Sequence, residues 1–123
     1  MKDEGEKNKT SVYFEQGYRY MELDEFQNAI NEFDKYISTN PEYYNSWYFR
    51  GLCKYALGQY EEAIKDFDKA LELINPEDHN SLYFRGLSEF HLGRYEYAAC
   101  TDWKKAAELG SEDAAELLKK HCE

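Results

Sequence analysis

The side chains best suited to nucleophilic or metal chemistry in this 123-residue sequence are Cys53, Cys100 and Cys122, with His91 and His121. His91 and Cys100 have the types of a base and a nucleophile. They fall on separate helices near a hairpin turn, with no third group and no oxyanion donors around them. His121 and Cys122 are adjacent and do not make a metal site alone. The cysteines are odd in number and widely spaced, with neither CxxC spacing nor the even count of a disulfide framework. They read as buried or incidental thiols, with Cys122, near the end of the chain, open to oxidation. No glycine-rich phosphate loop is present. The expectation is a protein that is not an enzyme and uses no metal or cofactor.

Charge and composition narrow the partners. Asp and Glu number 25 against 15 Lys and Arg, for a net charge of −10. Such a surface repels phosphate backbones and anionic lipid, so neither nucleic acid nor membrane is an expected partner. A basic or mixed-charge protein would be attracted, less so in salt. The first residues carry no apolar leader, and no stretch approaches the length of a membrane span, so the chain reads as soluble and cytoplasmic. With 42% hydrophobic residues, twelve Tyr and seven Phe, it can bury a single-domain core.

The elements that must position these side chains emerge from self-comparison. Gly17 recurs as Gly51 and Gly86, at spacings of 34 and 35. Asn28-Ala29-Ile30-Asn31-Glu32-Phe33-Asp34-Lys35 is echoed by Glu62-Ala63-Ile64-Lys65-Asp66-Phe67-Asp68-Lys69, and Tyr48-Phe49-Arg50-Gly51-Leu52 by Tyr83-Phe84-Arg85-Gly86-Leu87. Each unit reads as two amphipathic helices. In the second, the first helix ends near Leu57-Gly58, where glycine caps readily. The next carries apolar residues at three- and four-residue steps through Ala63, Ile64, Phe67, Ala70 and Leu71, and Asn75-Pro76 stops it. The mid-helix glycines, with Ala29, Ala63 and Ala99 opposite, let paired helices approach closely, while Phe33, Phe67 and Trp103 fill the space between hairpins. The third unit carries one extra residue around Tyr95-Glu96-Tyr97-Ala98. Gly110 and Ser111 then punctuate the chain before a helix whose stripe is Ala114, Leu117 and Leu118. Residues 1–9 read as a flexible charged tail.

This pattern resembles the tetratricopeptide repeat family. Unit one fits as Tyr13, Gly17, Tyr20, Ala29, Phe33 and Pro41; unit two as Trp47, Gly51, Ala63, Phe67, Ala70 and Pro76; unit three as Leu82, Gly86, Ala99, Trp103 and Ala106. The family's leucine before the glycine is replaced by Gln16, Arg50 and Arg85. The resemblance implies an all-α, right-handed α-solenoid of three helix-turn-helix repeats, about 10–43, 44–78 and 79–110, with a C-terminal capping helix at about 112–121.

It further implies that first helices line a concave groove holding a peptide or helix of another protein, as in an adaptor, scaffold or assembly factor. Carried over position by position, the groove holds Phe14 and Tyr18; Asn45, Tyr48, Phe49 and Tyr55; and Asn80, Tyr83, Phe84 and Phe90. Rings offer large apolar area at little rotamer cost, and the asparagines can bond a ligand backbone. The same rings at helical spacing also suit a core. Arg50 and Arg85 flank the region and either hold a ligand carboxylate or pack their stems between helices and meet the chain's own acids; the second reading is favoured. The places of the family's chaperone-binding carboxylate clamp are Phe14, Tyr18, Phe49, Asn80 and Phe84. Only Asn80 is of a suitable type, so binding of acidic chaperone tails is not supported. Self-association into a homo-oligomer through the same rings is the alternative reading.

Overall fold

The computed structural model describes residues 4–74 and 78–122, with the side chains of residues 4–10 and of Tyr95 outside that set. The described residues form helices throughout: α1 (Glu4–Glu22), α2 (Phe26–Thr39), α3 (Tyr44–Ala56), α4 (Tyr60–Leu73), α5 (His79–His91), α6 (Cys100–Glu108) and α7 (Glu112–His121), with a π-helical turn, Tyr95–Ala99, leading into α6. Each α-helix packs on its chain neighbours, and α3 also touches both α1 and α5. The result is an all-α solenoid of three hairpins closed by α7. Helix α1 begins at Glu4, inside the stretch expected as a tail. Glu and Lys are good helix formers, and that turn needs no burial to continue the helix. Residues 1–3 and the Asn75-Pro76 stop lie outside the described residues.

Three equivalent joints hold the hairpins together internally. A Cβ on Gly17 would come 2.7 Å from Phe33 Cε1, one on Gly51 2.8 Å from Phe67 Cε1, and one on Gly86 2.5 Å from Trp103 Nε1. No Cβ fits there, so the missing methyl is what seats each ring within its own hairpin. All three rings are fully buried. Phe33 and Phe67 also stack on the next hairpin, against Phe49 and Phe84, each at 6.2 Å between centroids. They therefore serve both contacts, within a hairpin and between hairpins.

Turns repeat as well. Gly58 and Gly93 take φ of +78° and +81°, ending the first helices of units two and three. In unit one that place is held by Asp24 at φ 61°, a short polar residue that tolerates the left-handed region better than most. The extra residue of unit three is absorbed by the π-helical turn, which widens the backbone ladder by one residue and returns Ala99, Trp103 and Ala106 to the buried side.

The cysteines depart from expectation. Cys100, at the start of α6, forms a disulfide with Cys122, just past α7, leaving the buried Cys53 as the free thiol. The odd count concealed a pair because the chain between the two cysteines, 22 positions apart, folds back through α7. Cys122 is thus engaged rather than an open thiol. Burial pushes the Cys53 thiol up to about 12, which keeps it protonated.

Candidate partner-binding surface

The residues expected to line one groove differ in what they touch, although Phe14, Phe49, Phe84 and Phe90 are half-buried like most of the others. Phe14, Phe49, Phe84 and Phe90 work between helices. Phe14 packs against Phe33, Tyr36, Tyr43 and Phe49. Phe84 sits among Tyr48, Tyr55, Phe67 and Tyr83. Phe90 lies against Trp103 and His121. Phe14 and Phe84 join neighbouring hairpins and Phe90 joins the third hairpin to α7, through edge-to-face and tilted pairs.

Tyr18, Asn45, Tyr48, Tyr55, Asn80 and Tyr83 keep part of their surface in solvent. Tyr18 is 41% exposed and rests its ring on Phe49. The Asn45 amide donates to the Tyr43 hydroxyl at 3.3 Å. The Tyr55 hydroxyl lies 3.3 Å from His91 Nε2, and His91 itself stacks flat on Tyr60. Asn80 is exposed. Burial, followed by the charge of Asp78, pushes the Tyr48 phenol up to about 12. Tyr83 is raised by burial and by the charges of Asp113 and Glu116 on α7. Both phenols therefore stay protonated and can donate at neutral pH. Asp113 and Glu116 were not among the residues expected from sequence. Their signal was a helix read only as a cap.

Arg50 and Arg85 turn inward. Arg50 donates through Nε and Nη2 to both oxygens of Asp66, at 2.9 and 2.8 Å, and through Nη1 to Asp34 at 2.7 Å. Arg85 repeats this on Asp102, with both bonds at 2.8 Å, and on Asp68, also at 2.8 Å. Each guanidinium grips the second helix of its own hairpin with a two-pronged bond. Its third contact reaches the second helix of the hairpin before. Asp66 and Asp102 are almost wholly buried, so neither arginine is free to take a ligand's carboxylate. The placement expected from the family's groove therefore does not include them.

A separate feature lies on the opposite side of α1. Val12, Glu15, Gln16, Arg19, Tyr20 and Leu23 line a shallow pocket of about 340 Å³. One repeat later these places include Ser46 and Cys53, both fully buried, with Cys53 packed on Ala29, Ile30 and Phe33 of the preceding hairpin. In α1 the same face is uncovered, and Leu23 is 62% exposed. No described helix of the chain is long and apolar enough to cross a membrane.

Comparison with known proteins agrees with this architecture. Two family models, each described as tetratricopeptide repeat, match residues 10–43 and 44–74. An uncharacterized protein of Methanocaldococcus jannaschii is 33% identical over 63 residues, covering 51% of this chain and 73% of that protein. Among solved structures, the first such domain of Spaghetti (RPAP3), bound to the HSP90 peptide SRMEEVD, superposes with a TM-score of 0.84 at 23% identity, over 92% of this chain and 90% of that one. The Arabidopsis OM64 domain gives 0.85 at 23% identity, over 92% and 93%. A MamA mutant gives 0.78 at 28% identity, over 84% and 74%. At such identities the first two likenesses speak for the fold alone.

Proposed function

This chain belongs to the tetratricopeptide repeat family, and on that premise we propose that it is a protein–protein interaction module holding a segment of a partner along the wall of α1, α3 and α5. The observation that carries the reading is the partial exposure of Tyr18, Tyr48, Tyr55 and Tyr83 over a floor of interlocked phenylalanines. A welded floor keeps the tyrosines in fixed rotamers, so little side-chain entropy is lost when a ligand docks. Asn45 and Asn80, at matching places, present amides suited to an extended backbone. The chain acts as adaptor or assembly factor and performs no chemistry on what it holds.

The test is capture of partners from lysate of the source cell by the wild-type chain and by Tyr48→Ala/Tyr83→Ala, with circular dichroism confirming the fold of both. The expected result is loss of the specifically captured proteins in the variant. Retention of all of them would place binding elsewhere. Light scattering over a range of concentrations addresses self-association, and a strict monomer removes that alternative.

A further inference from the structure

Counting from the helix caps extends the partner-facing wall to a fourth helix. The caps of α3, α5 and α7 are Tyr43, Asp78 and Ser111. Two residues beyond them stand Asn45, Asn80 and Asp113; five beyond stand Tyr48, Tyr83 and Glu116. Helical geometry puts equivalent positions on equivalent faces. Helix α7 therefore continues the row and carries carboxylates where α3 and α5 carry amides and phenols. Asp113 and Glu116 are both exposed, and their charges reach Tyr83. Asp78 places a third negative charge by Tyr48. Its oxygens already accept from the Asn80 backbone N–H and the Ser81 hydroxyl, so it acts as a charge rather than as a free acceptor.

The cations of α3 and α5 do not offset these charges. Arg50, Lys54 and Arg85 are all paired with Asp34, Asp66, Asp68 or Asp102. On α7 two cations, Lys119 and Lys120, are exposed one turn beyond Glu116, in the last turn of the helix, whereas Asp113 stands in its first turn. The wall thus joins aromatic faces to a negative end, on a chain whose net charge is already −10.

Building on the groove reading, we propose that this wall takes a partner segment rich in Lys and Arg. Its side-chain stems lie along the Tyr48 and Tyr83 rings, and its heads reach the Asp113 and Glu116 carboxylates. Ring faces and carboxylates both attract such heads, whereas an acidic segment is repelled.

Random dodecapeptides displayed on phage and sorted on the full chain test this directly. Enriched peptides are then remeasured free, by fluorescence anisotropy at several salt concentrations, on three proteins: wild type, Asp113→Asn/Glu116→Gln, and Tyr48→Ala/Tyr83→Ala. The expected pool is strongly basic. The carboxylate variant binds about tenfold more weakly at low salt and with a shallower salt dependence, and the ring variant loses binding. Neutral or acidic enriched peptides, or equal binding by the carboxylate variant, overturn the charge assignment; loss in the ring variant then leaves the groove standing. Peptides held equally well by the ring variant overturn the groove itself. A sort that enriches nothing counts against both.

Discussion

Glu89 occupies, in the third hairpin, the place that Lys54 holds in the second. Lys54 completes the network around Asp66 with an ion pair of 3.2 Å. Glu89 instead brings a second carboxyl up to Asp102, and one of its oxygens is buried without a partner. Burial, then the hydrogen bond to Asp102 and that group's charge, raise Glu89 from 4.5 to about 8; Asp68 adds to the rise and Arg85 opposes it. Between those two values the folded chain holds a proton that the unfolded chain has released. Stability from this group is therefore full below about pH 4.5 and declines as pH rises, until it is lost above about pH 8. Glu89→Gln keeps a neutral group at every pH. Its melting temperature should match wild type near about pH 5 and exceed it near about pH 9, because only the wild type then carries the extra charge. Thermal melts across that range check it, and parallel curves for the two proteins would remove the carboxyl pair as the cause.

Helix α7 is fixed by two ties to the third hairpin and by a cap of its own. The buried Ala114 joins the cluster of Leu82, Ala99, Trp103 and Ala106; Ser111 caps the helix by accepting from the Ala114 amide; and the disulfide links Cys122 to the start of α6. Closing a chain segment of this length contributes about 3 kcal/mol through the unfolded state. Reduction, or Cys100→Ser/Cys122→Ser, should lower the melting temperature and speed amide exchange in α7 while leaving α1 to α4 unchanged. Unaltered exchange in α7 after full reduction would mean that packing alone fixes the helix. Sequence made the helix itself legible, since Ser111, the acidic first turn and the Ala114, Leu117, Leu118 stripe are local signals. It could not pair Cys100 with Cys122, because that pairing depends on where α7 returns in space. The same limit explains the arginines. Their period was visible, but Asp34, Asp66, Asp68 and Asp102 become their neighbours only once hairpins stack. It explains the phenylalanines too: helical phase places Phe49 and Phe84 near the wall, and only the preceding hairpin supplies the Phe33 and Phe67 rings that each packs against. The insertion in unit three was countable from sequence, whereas its form as a π-helical turn required the backbone.

A solenoid is held by contacts within each hairpin and across each boundary, so its cooperativity rests on the boundaries. Here each boundary has the same two devices. One is a phenylalanine of the following first helix wedged against the preceding ring: Phe49 on Phe33, and Phe84 on Phe67. The other is an arginine reaching back to an exposed aspartate, Asp34 or Asp68. The aspartates are about half exposed, so those ion pairs contribute little, and the rings must supply most of the coupling. Phe84→Ala removes the ring that touches Tyr48, Tyr55 and Phe67 at once. The expected cost is about 3 kcal/mol, at the low end for a buried phenylalanine because Phe84 is only half buried. That cost should fall unevenly. Helices α5 to α7 lose their hold on the rest, while α1 to α4 keep the Phe33–Phe49 boundary intact. Hydrogen exchange resolved by hairpin should therefore show similar protection along the wild type, but in the variant a clear drop confined to residues 79–122. A uniform drop along the chain would mean that the three hairpins unfold as one unit whatever the state of that boundary. The coupling would then reside in the continuous helix-to-helix packing rather than in the wedge.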